Sequence, residues 1–163
     1  MATVKLSAER IIEAPADVVY HCIADYEEHH RPGGFLPDAF SDMRISRGGI
    51  GSGTVISFTT TLGGRTRRMT QEVTEPEPGR VLVESGDGAA TTFTVQPEGP
   101  GCRVRFDSVL QANGIGGLLT RLFAPRLLEP LYADELQRLE QLARAHPPIS
   151  TPERAGHGTD LQR

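Results

Sequence analysis

Residues 3–12, TVKLSAERII, alternate Val4, Leu6 and Ala8 with Lys5, Ser7 and Glu9. Period two marks a strand with one buried face. The alternation stops at Ala14-Pro15, and a helical pattern begins with almost no loop. Pro15 suits the first position of a helix, where its missing N–H costs nothing. Val19, Cys22, Ile23 and Tyr26 follow at helical spacing, and Asp17 in the first turn complements the helix dipole. Asp25-Tyr26-Glu27-Glu28 carries the pattern into a second short helix that ends at Pro32-Gly33-Gly34.

From about residue 39 the periodicity switches to that of strands. Six segments, at 39–47, 53–62, 65–75, 80–86, 90–97 and 101–112, are separated by RGGIGSG, LGG, EPEPG, GDG and PEGPG. Connections this short make antiparallel hairpins and a meander. The last segment alternates most cleanly, with Cys102, Val104, Phe106, Ser108 and Leu110 on one side and Arg103, Arg105 and Asp107 on the other. Residues 65–75 are mixed on both faces. Arg67, Met69, Gln71 and Val73 share one face and Arg68, Thr70, Glu72 and Thr74 the other, so the inner face stays undecided.

After NGIGG (113–117), apolar residues recur at helical spacing from Leu118 to about Ala145. Pro125 and Pro130 interrupt the run, and each removes a backbone donor. A bent helix or two segments is expected, regular from Pro130 onward, with Glu135 and Arg138 at i, i+3 on the wet side. The tail, HPPISTPERAGHGTDLQR, has too few apolar residues to repay ordering. The expected organisation is therefore one domain, 1–145, and a disordered tail, 146–163.

A length of 163 residues fits one domain with a real core. The net charge of −4 argues against nucleic acid as a partner, because phosphate binding needs a dense basic footprint. RTRR (65–68) and RVRF (103–106) read as solvated sheet faces. No apolar run approaches the roughly 18 residues of a membrane span, so no stable membrane insertion is expected. MATVKLSAER has no apolar core of a secretory signal, and the cytoplasm is the expected compartment. Cys22 and Cys102 are isolated and suggest neither a disulfide scaffold nor a metal site. A monomer or a homodimer fits equally.

An antiparallel sheet with one apolar face must cover it. The element long enough to do so is the C-terminal helix, about 40 Å from Gly117 to Ala145 at roughly 1.5 Å per residue. Several strand positions are Thr, Ser, Ala or Gly, which leaves a gap between sheet and helix. Apolar gaps with a few polar groups are the usual ligand sites.

The order of IEAPADVVYHCIADYEEHHRP after the first strand, GGIGSGTVISF entering the third, and the long terminal helix resembles the START-like, or SRPBCC, superfamily over residues 3–145. That superfamily includes polyketide cyclase/dehydrase-like proteins, pollen-allergen-type carriers and lipid-transfer domains. The resemblance implies an α+β helix-grip fold. In it a seven-stranded antiparallel curved sheet wraps around a long C-terminal helix, with two short helices between strands 1 and 2. It also implies a deep pocket for a hydrophobic or amphipathic small molecule.

The candidate cavity residues are Tyr26, His30, Phe35, Phe58, Phe93, Phe106, Leu118 and Leu122, with Phe35, Leu118 and Leu122 nearest the mouth. Leu36, Phe40, Ile56, Val95 and Phe123 are further lining candidates, and core packing is the competing reading for every apolar position. Tyr26 shares the apolar helix face, and its hydroxyl needs a partner or the cavity. Glu84, Thr92, Thr94 and Ser108 are candidate inward polar groups. The His29-His30-Arg31 cluster reads first as a solvated helix end and otherwise as a general base or donor at the pocket mouth. A metal would need further ligands brought from elsewhere, because adjacent His side chains diverge on a helix. No nucleophile elbow, phosphate loop or metal spacing is present, and neither metal nor cofactor is expected. GGIGSG (48–53) lacks the Lys-Ser/Thr and helix of a phosphate loop and reads as a hairpin turn. The leading expectation is a carrier of a hydrophobic small molecule. The alternatives are an aromatase/cyclase or dehydratase working by acid–base catalysis, and a protein-interaction module.

Overall fold

A computed structural model describes the backbone of residues 2–112 and 115–148 and the side chains of 3–111 and 123–148. Seven strands are followed by a long helix: β1 (Ala2–Ile12), α1 (Ala16–Ala24), β2 (Phe40–Arg47), β3 (Val55–Leu62), β4 (Arg65–Glu77), β5 (Val81–Gly86), β6 (Ala89–Glu98), β7 (Gly101–Ala112) and α2 (Ile115–Ala145). The strands form one antiparallel sheet in the order β1-β7-β6-β5-β4-β3-β2. The meander runs from β2 to β7, and β1 pairs with β7 along its whole length, from Ala2↔Ala112 to Ile12↔Cys102.

The period-two patterns act as they should. Val4, Leu6 and Ile12 of β1 and Val104, Phe106 and Ser108 of β7 are buried on the inner face. Each fully buried Val, Ile or Phe contributes about 1.5–3 kcal/mol relative to exposure. Register shifts between Ser41 and Arg44 in β2 and between Thr74 and Glu77 in β4 bend the sheet, as bulges do. Pro76, which cannot donate to a ladder, sits in the second of these irregular stretches. The mixed strand β4 resolves in favour of Met69, Gln71 and Val73 as the inner row.

One local reading needs correcting. A single helix, α1, lies between β1 and β2, where two were expected. Asp25 instead makes an isolated bridge to Ile50, and the Tyr26 N–H donates to the Gly49 carbonyl at 2.9 Å. The glycine-rich β2–β3 turn thus takes over the backbone groups a second helix would have used. Of the two forms expected for the C-terminal region, a bent helix or two segments, the structure has one helix, from Ile115 to Ala145 through Pro125 and Pro130. Burial of one continuous stripe, Ala124, Leu128, Tyr132, Leu136, Leu139 and Ala143, holds it together despite two missing donors. An ion pair of 2.6 Å between Arg10 and Glu140 ties α2 to β1. The expected tail falls mainly on 149–163, outside the described residues. No helix among the described residues is long and apolar enough to cross a membrane.

Candidate functional site

Sheet and α2 enclose a cavity of about 660 Å³, within the roughly 300–1,000 Å³ of small-molecule sites. Its apolar wall comes from Ile56 and Phe58 of β3, Met69 of β4, Phe93 of β6, Phe106 of β7 and Leu128 of α2. Phe93 and Phe106 pack edge to face at 4.7 Å. Phe123 and Leu127 line the cavity while 50% and 44% exposed, which places an apolar lip at its mouth. Arg65, Arg67 and Arg126 also line it.

Polar groups converge on this wall at two places. The first is Glu84, which the alternation of β5 puts on the same face as buried Leu82. Sheet register sets it between Val73 and Thr91. The Tyr26 hydroxyl, reaching from beyond α1, donates to Glu84 Oε1 at 2.6 Å. Burial pushes the Glu84 carboxyl up to about 7, against the Tyr26 bond, which favours the ionised form. Glu135 of α2 is 5% exposed and lines the same cavity. Burial raises its pKa well above the ordinary carboxylate range, and the neighbouring charges of Glu84 and Asp134 add to that. Burial thus favours the protonated form of both acids, and the Glu84 charge adds to that at Glu135. The second place is a hydroxyl chain. Thr91 Oγ1 and Ser108 Oγ lie 2.8 Å apart, and Ser108 Oγ and the Tyr132 hydroxyl 2.7 Å apart.

His30 joins the first group. Its ring stacks on Tyr26 at 4.0 Å and meets Phe35 edge-on at 4.8 Å. Nε2 lies 2.9 Å from the Ile23 carbonyl, which can only accept, so Nε2 carries the proton. Burial lowers the His30 pKa to about 4, and the imidazole is neutral at physiological pH. The backbone here is tight. The Phe35 N–H donates to the His29 carbonyl at 3.3 Å, and a Cβ on Gly34 would collide with that carbonyl.

The structure brings His30, Phe58, Phe93 and Phe106 together on the cavity wall. Leu36, Phe40, Ile56 and Phe123 line it too. Tyr26 and Phe35 are fully buried and sit behind His30, so neither lines the cavity; Phe35 is packed inside, away from the mouth. Val95 is likewise core. Leu118 and Leu122 lie outside the residues with described side chains. His29 and His30 are each 3% exposed, so the solvated helix end is wrong: the turn after α1 folds back under Gly34 and buries both rings. Thr92 and Thr94 alternate with inward Phe93 and point away; Thr91 takes the inward place. Glu135 is the residue most misread. Its spacing of seven from Leu128 and four from Leu139 puts it on the buried stripe, but a charged residue pairing with Arg138 reads as surface. Arg138 instead bonds Asp134 at 3.0 Å.

The chain belongs to the polyketide cyclase/dehydrase and lipid transport family, whose profile matches residues 3–144. The solution structure of KanY (ms6282) superposes with a TM-score of 0.75 at 25% identity, covering 89% of this chain and 100% of that one. TTHA0849 from Thermus thermophilus gives 0.71 at 25% identity, over 86% and 97%. Norcoclaurine synthase from Thalictrum flavum, solved with dopamine and hydroxybenzaldehyde, gives 0.66 at 17% identity, over 91% and 90%. These likenesses establish the helix-grip fold. A comparison with curated proteins finds no match.

Proposed function

We propose that the chain binds a hydrophobic or amphipathic small molecule between sheet and α2 and moves a proton on it, with Glu84 as general base and Glu135 as general acid. The observation that carries this reading is Glu84, held at 2.6 Å by Tyr26 against the Phe93 and Phe106 wall of the cavity, its carboxyl pushed up to about 7 by burial. A pure carrier needs no such group, because an ionisable carboxyl facing an apolar ligand weakens binding. General bases are most effective with a pKa near the working pH.

The chemistry follows from the two acids. Glu84 in its ionised form takes a proton from a carbon next to a substrate carbonyl. The carbonyl oxygen gains negative charge, and protonated Glu135 stabilises or protonates it. The resulting enol attacks a second carbonyl, whose oxygen takes the proton from Glu84, or expels a hydroxyl, which the Glu84 proton converts to water; as the first carbonyl re-forms, its proton returns to Glu135. This is the reaction class of a cyclase or dehydratase, which the family description supports. The neutral His30 and the Thr91-Ser108-Tyr132 hydroxyls orient the polar end of the ligand. A filled core would have favoured the protein-interaction reading; a cavity of this size supports a small molecule.

A probe that needs only one proton abstraction tests the claim without knowing the substrate. 5-Nitrobenzisoxazole opens its ring when a carbon-bound proton is removed. The protein is expected to open it at a rate that rises through pH 7, and Glu84→Gln to lower that rate by about 10²-fold or more. Equal rates in the two proteins would leave the carrier reading in place.

A further inference from the structure

Behind the His30 wall, away from the cavity, a second cluster has formed. Cys22 comes from α1, His29 from the turn after it, and His146 from the first residue past α2. Their ligand atoms lie within 4.8 Å of one another. The His29 and His146 rings meet edge to face at 4.7 Å. None of the three lines the cavity.

The pointer to a ligand is His29. The residue is 3% exposed, and its Nε2 is buried with no hydrogen-bond partner. An unsatisfied buried polar atom costs about 1–3 kcal/mol, so native structures rarely leave one without a reason. Apolar packing would have been met by Phe or Leu at this position. The His29 ring also lies beside a thiol and a second imidazole, side chains that together can share a metal ion. His29 also belongs to a second, separate group, in which its ring, His21 and the Asp25 carboxylate have ligand atoms within 4.8 Å of one another.

We propose that Cys22, His29 and His146 bind one divalent transition-metal ion of the zinc class, with a water in the fourth position. One thiolate and two imidazoles are donors that suit tetrahedral Zn²⁺, which keeps its fourth position for water. Bonds of about 2.0–2.3 Å put tetrahedral donors about 3.3–3.8 Å apart. The side chains therefore close by no more than about 1.5 Å when the ion enters. His146 is half-buried at the end of α2 and makes the adjustment most easily. Binding releases the Cys22 thiol proton to solvent.

The consequence reaches the cavity. An ion held by both α1 and the residue after α2 fastens the end of the helix that forms the cavity wall. It also fixes the His29 backbone, whose neighbour His30 lines that wall. The metal is thus a clasp on the helix, separate from the proton chemistry.

Untagged full-length protein, stripped with chelator, should be titrated with Co²⁺ and then Zn²⁺. One equivalent of Co²⁺ should give a near-ultraviolet thiolate charge-transfer band and tetrahedral visible bands, which Zn²⁺ displaces. Zn²⁺ alone should raise Tm. His146→Ala, at a half-buried position, should weaken binding by at least about 100-fold, since even outer partners of a metal site are worth 10–100-fold. Cys22→Ser should abolish the charge-transfer band. If Cys22→Ser does not fold, the band in the wild type and its loss in His146→Ala decide the matter. No thiolate band, no Zn²⁺-dependent Tm rise, or unchanged affinity in His146→Ala would overturn the site.

Discussion

Replacing Glu84 with Gln separates the stability effect of this carboxyl from its chemistry. Burial lifts Glu84 from an ordinary value of 4.5 to about 7 in the folded protein. The unfolded chain releases this proton near pH 4.5, while the folded protein keeps it to about pH 7. Across that window the folded state binds more protons, so stability is fully present at the acid end and falls as pH rises. Above about pH 7 the loss is complete. A gap from 4.5 to about 7, at about 1.4 kcal/mol per pH unit, comes to on the order of 3 kcal/mol. Glutamine keeps the shape and the oxygen that accepts from Tyr26, but it cannot ionise. Glu84→Gln should match the wild type within about 1 kcal/mol at pH 4.5 and exceed it by about 1–3 kcal/mol at pH 8. Removing the Glu84 charge also eases ionisation of Glu135, which adds to the gain. Urea unfolding at the two pH values reads this as a change in midpoint at constant slope. A variant equally or less stable than the wild type at pH 8 would refute the reasoning.

Three further substitutions probe other parts of the account. Leu62→Trp adds an indole at a half-buried cavity position and should weaken binding of a fluorescent anilinonaphthalene probe at least about tenfold, as loss of about 1.4 kcal/mol or more would; unchanged binding in a folded variant would place the ligand elsewhere. Tyr132→Phe removes one end of the hydroxyl chain, yet Ser108 keeps Thr91 as a partner, so a cost of about 0.5–1.5 kcal/mol is expected by urea unfolding. A loss above about 3 kcal/mol would mean that the hydroxyl satisfies more than Ser108. Gly34→Ala drives a Cβ into the His29 carbonyl and should cost more than about 1 kcal/mol while moving the His30 ring resonances; a silent substitution would contradict the tight turn.

Strands and long helix were legible because period two and period 3.6 survive wherever one face is buried and the other wet. The breaks at RGGIGSG, EPEPG and GDG fixed their number. Residues 25–39 were illegible for the opposite reason: their order comes from contacts far away in sequence, such as Tyr26 N–H to Gly49, and from packing such as Phe35 beneath His30. The cavity's apolar wall followed from the alternation of β3, β6 and β7. Its polar centre followed only in part. Glu84 shows itself two residues after buried Leu82, but Glu135 lies on a stripe where charge ordinarily means surface. The partners of His29 could not be read at all, because Cys22 and His146 are joined to it only once α1 and α2 have packed.

The central claim is that Glu84 is a carboxyl poised near neutrality inside the ligand cavity. A ¹³C NMR titration of the glutamate carboxyl signals, assigned with Glu84→Gln, measures this directly. A Glu84 midpoint near 7 is expected, moving higher in Tyr26→Phe because the bond that favours the ionised form is gone. A Glu84 midpoint at the ordinary 4.5, indifferent to Tyr26, would contradict it.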